Sequence, residues 1–105
     1  MPPRIFVALD LETTGLMPGT DRITEVGLVR FTQDGVLDTY TSLVNPEIEI
    51  SLRVQQLTGI RPQDVRTAPR FHSIRLEVAE FLGGTTIVGQ NISFDLAFLA
   101  AEGLE

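Results

Sequence analysis

Two acids separated by one residue, Asp10 and Glu12, stand at the end of an apolar run, Ile5-Phe6-Val7-Ala8-Leu9. In an extended strand, side chains at i and i+2 point the same way. Two carboxylates aimed together beside a core repel each other and lose hydration, which is costly unless cations or donors compensate. A divalent ion compensates directly. Carboxylate oxygens with the remaining positions left to water and phosphate suit Mg²⁺ or Mn²⁺. The same pair can also do no more than solvate a strand end. Asp95 is the third acid of interest. It falls in the first turn of a helical stretch holding Ile92, Phe94, Leu96, Ala97, Phe98, Leu99 and Ala100. The helix macrodipole favours an acid there whatever else it does. A helix apolar on almost every side is expected to be buried, however, and a buried acid needs a partner. If the strand before that helix lies beside the first strand, Asp95 meets Asp10 and Glu12 over one sheet edge.

Other reactive types do not assemble into a site. His72 is the only histidine, and it sits one position off the apolar stripe of its helix, as a surface residue does. Gly83-Gly84 stops a helix. Gly15 and Gly19 are not a phosphate loop, because no Gly-Lys-Ser/Thr follows.

The elements that must position the acids follow from pattern. Residues 4–9 read as a strand buried on both faces. Thr14-Gly15 and Met17-Pro18-Gly19 form a turn-rich loop. Residues 23–32 and 36–44 are β-branched and aromatic, and Asp34-Gly35 between them signals a tight hairpin. Asn45-Pro46 ends the second of these strands. Ser51 caps a short helix through Leu57, which Gly59 stops. Residues 60–67 read as a loop. Thr67 reads as the next N-cap, with Pro69 in the first turn. Phe71, Ile74, Val78, Phe81 and Leu82 then make one helical stripe. A short strand at 85–88, a loop at 89–91 and a helix at about 93–102 complete the order β-β-β-α-α-β-α. That order predicts a mixed α/β sheet with helices on its faces.

Composition bounds the function. The 105 residues form one domain at most. Hydrophobic residues at 43% and charged residues at 21% exclude a disordered tail. No apolar run approaches the roughly 18–20 residues of a membrane span, and the start is too short for a signal-peptide core. No membrane partner and a cytoplasmic location are expected. The absence of cysteine excludes disulfides and thiolate metal sites. The net charge of −6 argues against a strongly basic polyanion binder, yet it hides a local excess. Residues 51–76 hold five arginines against Asp64 alone, and there is no lysine anywhere.

Asp10-Leu11-Glu12-Thr13-Thr14-Gly15-Leu16 resembles the first motif of the DEDD-type 3′–5′ exonucleases, in the form found in bacterial proofreading subunits and the His branch of the family. Asn91-Ile92-Ser93-Phe94-Asp95 resembles the second motif, usually His-Asn-x-x-Phe-Asp. Leu57-Thr58-Gly59-Ile60, followed by Pro62 and Asp64, resembles the loop between them, and Val44-Asn45-Pro46 also fits. The resemblance runs over the whole chain. It implies a ribonuclease-H-like fold and two-metal-ion hydrolysis of phosphodiesters, with two Mg²⁺ or Mn²⁺ ions. It implies that Asp10, Glu12 and Asp95 are the catalytic metal ligands. It further implies that Thr13, Gly15 and Leu16 present the terminal nucleotide, that Thr58, Gly59 and Ile60 contact its sugar and base, and that Asn91 and Phe94 line the same pocket. Apolar faces such as Leu16 and Phe94 hold a base without reading sequence. In the basic stretch, Arg53 or Arg61 is the candidate for backbone phosphates, beside the alternative of ordinary solvated arginines.

The match departs at two points. Position 90 is Gln where the second motif usually opens with His. The third motif, His-x4-Asp or Tyr-x3-Asp, which brings the fourth carboxylate and in the His branch the general base, is absent from these residues. The expectation is therefore that residues 1–105 are the N-terminal portion of one exonuclease domain, truncated before its last strand and helix and weak or inactive alone. Its implied partner is a single-stranded DNA 3′ end, with RNA as the alternative. A polymerase or helicase would be joined to it in the parent protein. The competing expectation is a degenerate nuclease fold used for binding or assembly. In either case the edge of the 85–88 strand is left open for self-association.

Overall fold

The first strand, β1 (Phe6–Thr13), runs through both acids rather than ending before them. Val7, Leu9 and Leu11 alternate onto one face and are almost fully buried, which holds the chain extended as far as Thr13. The structure is a computed structural model and describes residues 3–104; Met1, Pro2 and Glu105, the ends of the expected 1–105 portion, lie outside the described residues. β2 (Ile23–Thr32) pairs antiparallel with β1, setting Leu28 opposite Leu9 and Val26 opposite Leu11. The hairpin loop is Gln33-Asp34, one position earlier than the expected Asp34-Gly35, and β3 (Gly35–Leu43) opens on Gly35, at φ 138° and paired with Thr32, before returning along β2. β4 (Thr86–Val88) pairs parallel with β1, with Ile87 beside Val7. The sheet order is β3-β2-β1-β4, a mixed sheet with β3 and β4 at its edges.

The connection from β3 to β4 is helical. α1 (Leu52–Thr58) begins where the Ser51 hydroxyl accepts the Val54 N–H at 3.2 Å, and it ends at Gly59 in the left-handed region, φ 77°. A further short helix, α2 (Pro62–Val65), occupies what the sequence suggested was a loop. Proline at its first position is pre-set for helix, and the Asp64 carboxylate accepts the Arg61 N–H at 2.9 Å. α3 (Phe71–Leu82) starts at Arg70, not at Thr67. Pro69 precedes the helix instead of lying in its first turn. Its carbonyl accepts the Asn45 N–H at 2.8 Å, which holds that stretch against the end of β3. α4 (Ile92–Ala101) follows β4.

Helices α3 and α4 cover one face of the sheet only. Phe71, Ile74 and Val78 from α3, with Phe98 and Leu99 from α4, pack on Val7, Leu9, Leu11, Val26 and Leu28. The opposite face carries Phe6, Ala8, Val29 and Phe31, which are half-buried, so the expectation of a first strand buried on both sides does not hold. α4 is likewise less buried than its composition suggested. Asp95, Phe98 and Leu99 are its buried residues, while Leu96 is 41% exposed. A second, smaller core of Ile50, Ile60 and Val65 forms under α1 and α2.

Phe98 is fully buried in the main core. Phe98→Ala is expected to cost about 3–5 kcal/mol, most of the stability of a domain this small. Urea denaturation followed by circular dichroism checks it.

Candidate active site

Asp10 and Glu12 lie on the open face of β1, between anchors on the covered face. Asp10 stands opposite Gly27, and Glu12 stands opposite Glu25 on β2. Like charges directly across a ladder destabilise the pair. Sequence reading missed Glu25, because only the β1–β2 register brings it there. Glu12 is pushed above its ordinary value by partial burial, then by Asp10, then by Glu25. Asp95, in the first turn of α4, is buried, with 7% of its surface exposed. Burial, Asp10 and Glu12 together raise it to about 6, while the Leu11 backbone N–H pulls the other way. Asp95 therefore feels both other acids, as the β4–β1 pairing expected from the sequence requires. No ion pair among the described residues neutralises any of the three.

These acids suit a hard divalent cation in chemistry: oxygen donors, excess negative charge, and one carboxyl already strained by its neighbours. Among the described residues, no three acidic or histidine side chains converge closely enough to enclose one ion by themselves. The set is open rather than a closed cage.

The loop after Glu12 is tightly built. The Thr13 hydroxyl donates to the Gly15 carbonyl at 2.6 Å. The Asp21 carboxylate accepts from the Thr14 hydroxyl and from the Met17 N–H, each at 3.0 Å. A Cβ on Gly15 would come within 2.7 Å of that carboxylate, so a larger residue there must push Asp21 away from its bonds to Thr14 and Met17. Leu16 beyond it is 77% exposed. Sequence reading missed Asp21, which has no local signal, and Glu102, which bonds across eighty positions to Arg22 and to the Ile23 N–H.

The remaining candidates fall in two places. Asn91 is the residue before α4, and its side chain makes no capping bond. Phe94 lies one position before Asp95, its ring 4.8 Å from that of Phe98. Thr58, Gly59 and Ile60 close α1. The Thr58 hydroxyl donates to the Val54 carbonyl at 2.9 Å, and the Ile60 side chain is buried in the second core. Of the two arginines considered for phosphate, Arg61 is committed to Asp64 at 3.0 Å, while Arg53 is exposed. His72 is exposed on α3, as expected.

A mixed sheet of this order, with acids from its first strand and from the helix after the fourth, is the ribonuclease-H-like exonuclease fold. It superposes on exonuclease I in its apo form with a TM-score of 0.80 at 22% identity, over 93% of this chain and 24% of that one. Escherichia coli exonuclease I in complex with a dA16 oligonucleotide matches equally, with a TM-score of 0.80 at 22% identity over 91% and 23%. Residues 7–103 match the profile of the RNase T family, described as exonuclease, and the chain belongs to that family. It is 37% identical to a PolC-type DNA polymerase III of Caldanaerobacter subterraneus subsp. tengcongensis, over 92% of this chain and 7% of the relative. It is 37% identical to the DNA polymerase III subunit epsilon of Treponema pallidum, over 92% and 45%. It is 35% identical to the 3′-5′ exonuclease DinG of Staphylococcus epidermidis, over 90% and 10%. The chain thus spans less than half the length of these relatives.

Asp95 holds its proton more tightly in the folded chain, at about 6, than its ordinary 3.8. Folding therefore loses free energy as pH rises from about 4 through 6, and without metal the chain gains stability on acidification by this group. Asp95→Asn is expected to stabilise the metal-free chain at pH 7 by about 1–3 kcal/mol and to flatten that pH dependence. Thermal unfolding of the two proteins between pH 4.5 and 7.5 measures the difference.

Proposed function

We propose that the chain is the N-terminal portion of a metal-dependent 3′–5′ exonuclease domain that releases nucleoside monophosphates from single-stranded DNA ends. The observation that carries this reading is the grouping of Asp10, Glu12 and Asp95, in which burial first and then the two neighbouring carboxylates raise Asp95 to about 6, with no ion-paired arginine among the described residues to offset it. Asp10, Glu12 and Asp95 would hold two Mg²⁺ or Mn²⁺ ions. When bound, such ions supply an activated water and stabilise the departing 3′ oxygen. The openness of the acid set leaves room for water and phosphate.

The protein's own residues orient the end of the strand. Thr13 and Gly15 fix the loop that presents exposed Leu16 to the terminal base, and Phe94 offers a second apolar face. Asn91 keeps its side-chain amide free to bond the nucleotide. Thr58 and Gly59 offer hydroxyl and backbone groups at the end of α1, where Ile60 contributes main chain because its side chain is buried. The fourth carboxylate and the general base come, on this reading, from outside these residues. The names of the relatives favour DNA over RNA and a parent protein in which a polymerase accompanies the nuclease; a helicase in that place and a cytoplasmic location belong to the same reading without support from those names.

The test is degradation of single-stranded DNA, mismatched duplex and short RNA by the full-length parent with and without Mg²⁺ or Mn²⁺. DNA degradation from the 3′ end that requires metal and falls by at least about a thousandfold in Asp10→Ala supports the reading. Preference for RNA favours the exoribonuclease alternative. The 105-residue chain alone is expected to bind Mn²⁺ weakly and to hydrolyse little. Robust cleavage by that chain, lost in Asp10→Ala, would overturn the need for an outside base.

A binding or assembly module is the second reading. It is favoured by the unpaired edge of β4 and by the exposed Leu96 on the neighbouring helix. Concentration-dependent self-association in sedimentation velocity, with no metal-dependent cleavage by the parent, is the result that would replace the first reading.

A further inference from the structure

Glu102 is an anion in an unfavourable place. It caps the C-terminus of α4, where the helix dipole disfavours negative charge, and its side chain is only 5% exposed. Its bonds explain why it is held there. One carboxylate oxygen accepts the Ile23 N–H at 2.8 Å. The other accepts from the Arg22 guanidinium, at 3.2 Å from Nε and 3.1 Å from Nη2. The Arg22 backbone in turn brackets Thr14. The Thr14 N–H donates to the Arg22 carbonyl at 2.8 Å, and the Arg22 N–H donates to the Thr14 hydroxyl at 3.0 Å. Thr14 lies two positions after Glu12, and Glu102 lies on the helix that carries Asp95. A continuous run of hydrogen bonds therefore joins the far end of that helix to the segment leaving the first two acids.

We propose that Glu102 is a positioning residue, a latch that fixes the separation of Asp95 from Asp10 and Glu12 by tying α4 to the Thr14–Arg22 loop. The proposal rests on the metal-site reading above, in that the three acids act together. Charge-assisted bonds from a guanidinium and a backbone N–H are among the stronger ones, and a largely buried carboxylate losing them leaves donors unpaired. The latch therefore sets geometry at the acids without touching substrate or metal.

The test compares the wild-type chain with Glu102→Gln, which keeps shape and one acceptor, and Arg22→Lys, which keeps charge and loses the fork. Three quantities are read: unfolding midpoint, amide hydrogen exchange at Thr14 and Ile23, and Mn²⁺ affinity by electron paramagnetic resonance. In the folded variants, Thr14 and Ile23 are expected to exchange faster and Mn²⁺ affinity to fall about tenfold, as for partners that orient metal ligands. Asp95→Asn should lose Mn²⁺ affinity while leaving Thr14 protection unchanged. Folded Glu102→Gln and Arg22→Lys proteins with Mn²⁺ affinity within about twofold of wild type would overturn the latch. If the wild-type chain binds no Mn²⁺, the metal reading fails by itself. Exchange at Thr14 then decides the latch, with unchanged protection in Glu102→Gln rejecting it. If Glu102→Gln does not fold, Arg22→Lys supplies the same comparison.

Discussion

The constraint around which the chain is arranged is that Asp10, Glu12 and Asp95 are crowded where burial first, and their mutual repulsion second, disfavours charge on Glu12 and Asp95. Glu25 across the ladder adds to it, and neither lysine nor an ion-paired arginine relieves it among the described residues. The offset comes from packing on the other side of the same elements. Leu9 and Leu11 flank Asp10 in the covered face of β1, and Phe98 and Leu99 lie one turn beyond Asp95 on α4. Each such side chain contributes about 1.5–3 kcal/mol by burial. A carboxyl raised from 3.8 to about 6 costs roughly 3 kcal/mol. The buried neighbours of these acids, Leu9 and Leu11 on β1 and Phe98 and Leu99 on α4, together outweigh that cost, so the chain can hold an electrostatically unfavourable site without an ion.

The same logic explains why packing is one-sided. Both helices that cover the sheet lie on the face that anchors β1, Asp10 and Glu12 occupy the other face, and Asp95 comes from the first turn of α4. Phe6 and Phe31 stack at 5.6 Å on that open face, with Arg4 over Phe6 at 5.4 Å, so the apolar groups there shield one another. The molecule is accordingly elongated, 48 × 24 × 24 Å, with the small core under α1 and α2 lying apart from the main one. On the proposed reading, an open face is also what a strand end requires in order to reach the acids.

Local chemistry made much of this readable from the sequence. Asp34-Gly35 signals the hairpin through backbone tolerance, although the loop itself is Gln33-Asp34 and Gly35 already belongs to β3; Ser51 and Gly59 bracket α1 through capping, and the stripe from Phe71 to Leu82 specifies α3 through period. The failures are failures of context. Pattern could not show that the apolar residues of β1 split between a covered and an open face, because a continuous apolar run fits both cases. α2 was missed although Arg61-Pro62-Gln63-Asp64 carries a start signal, since four residues are too few for periodicity to register. Pro69 was given to a helix because its first-turn role and its pre-helix role look alike until the Asn45 N–H claims its carbonyl. Of the acids grouped here, Asp10, Glu12 and Asp95 were legible as candidates by spacing and resemblance. Glu25, Asp21 and Glu102 were not, because each acts through register or through bonds to residues distant in sequence.

The charge distribution carries the last step. A body at −6 repels a polyanion, and at physiological salt that repulsion fades over about 8 Å. A nucleic-acid backbone must therefore be met by cations close to the site rather than by the field of the whole molecule. Two of the five arginines of residues 51–76 are held in ion pairs. Arg61 is bound to Asp64, and Arg70 lies 3.6 Å from Glu47. Arg53 is exposed on α1, five residues before Thr58, without an ion pair among the described residues. If the end of α1 meets the terminal sugar, Arg53 is the arginine of that helix able to reach a phosphate without first breaking a bond of its own. On the proposed reading, Arg53 is the readier of the two arginines left open in the sequence, since Arg61 must first leave its exposed, weak pair with Asp64.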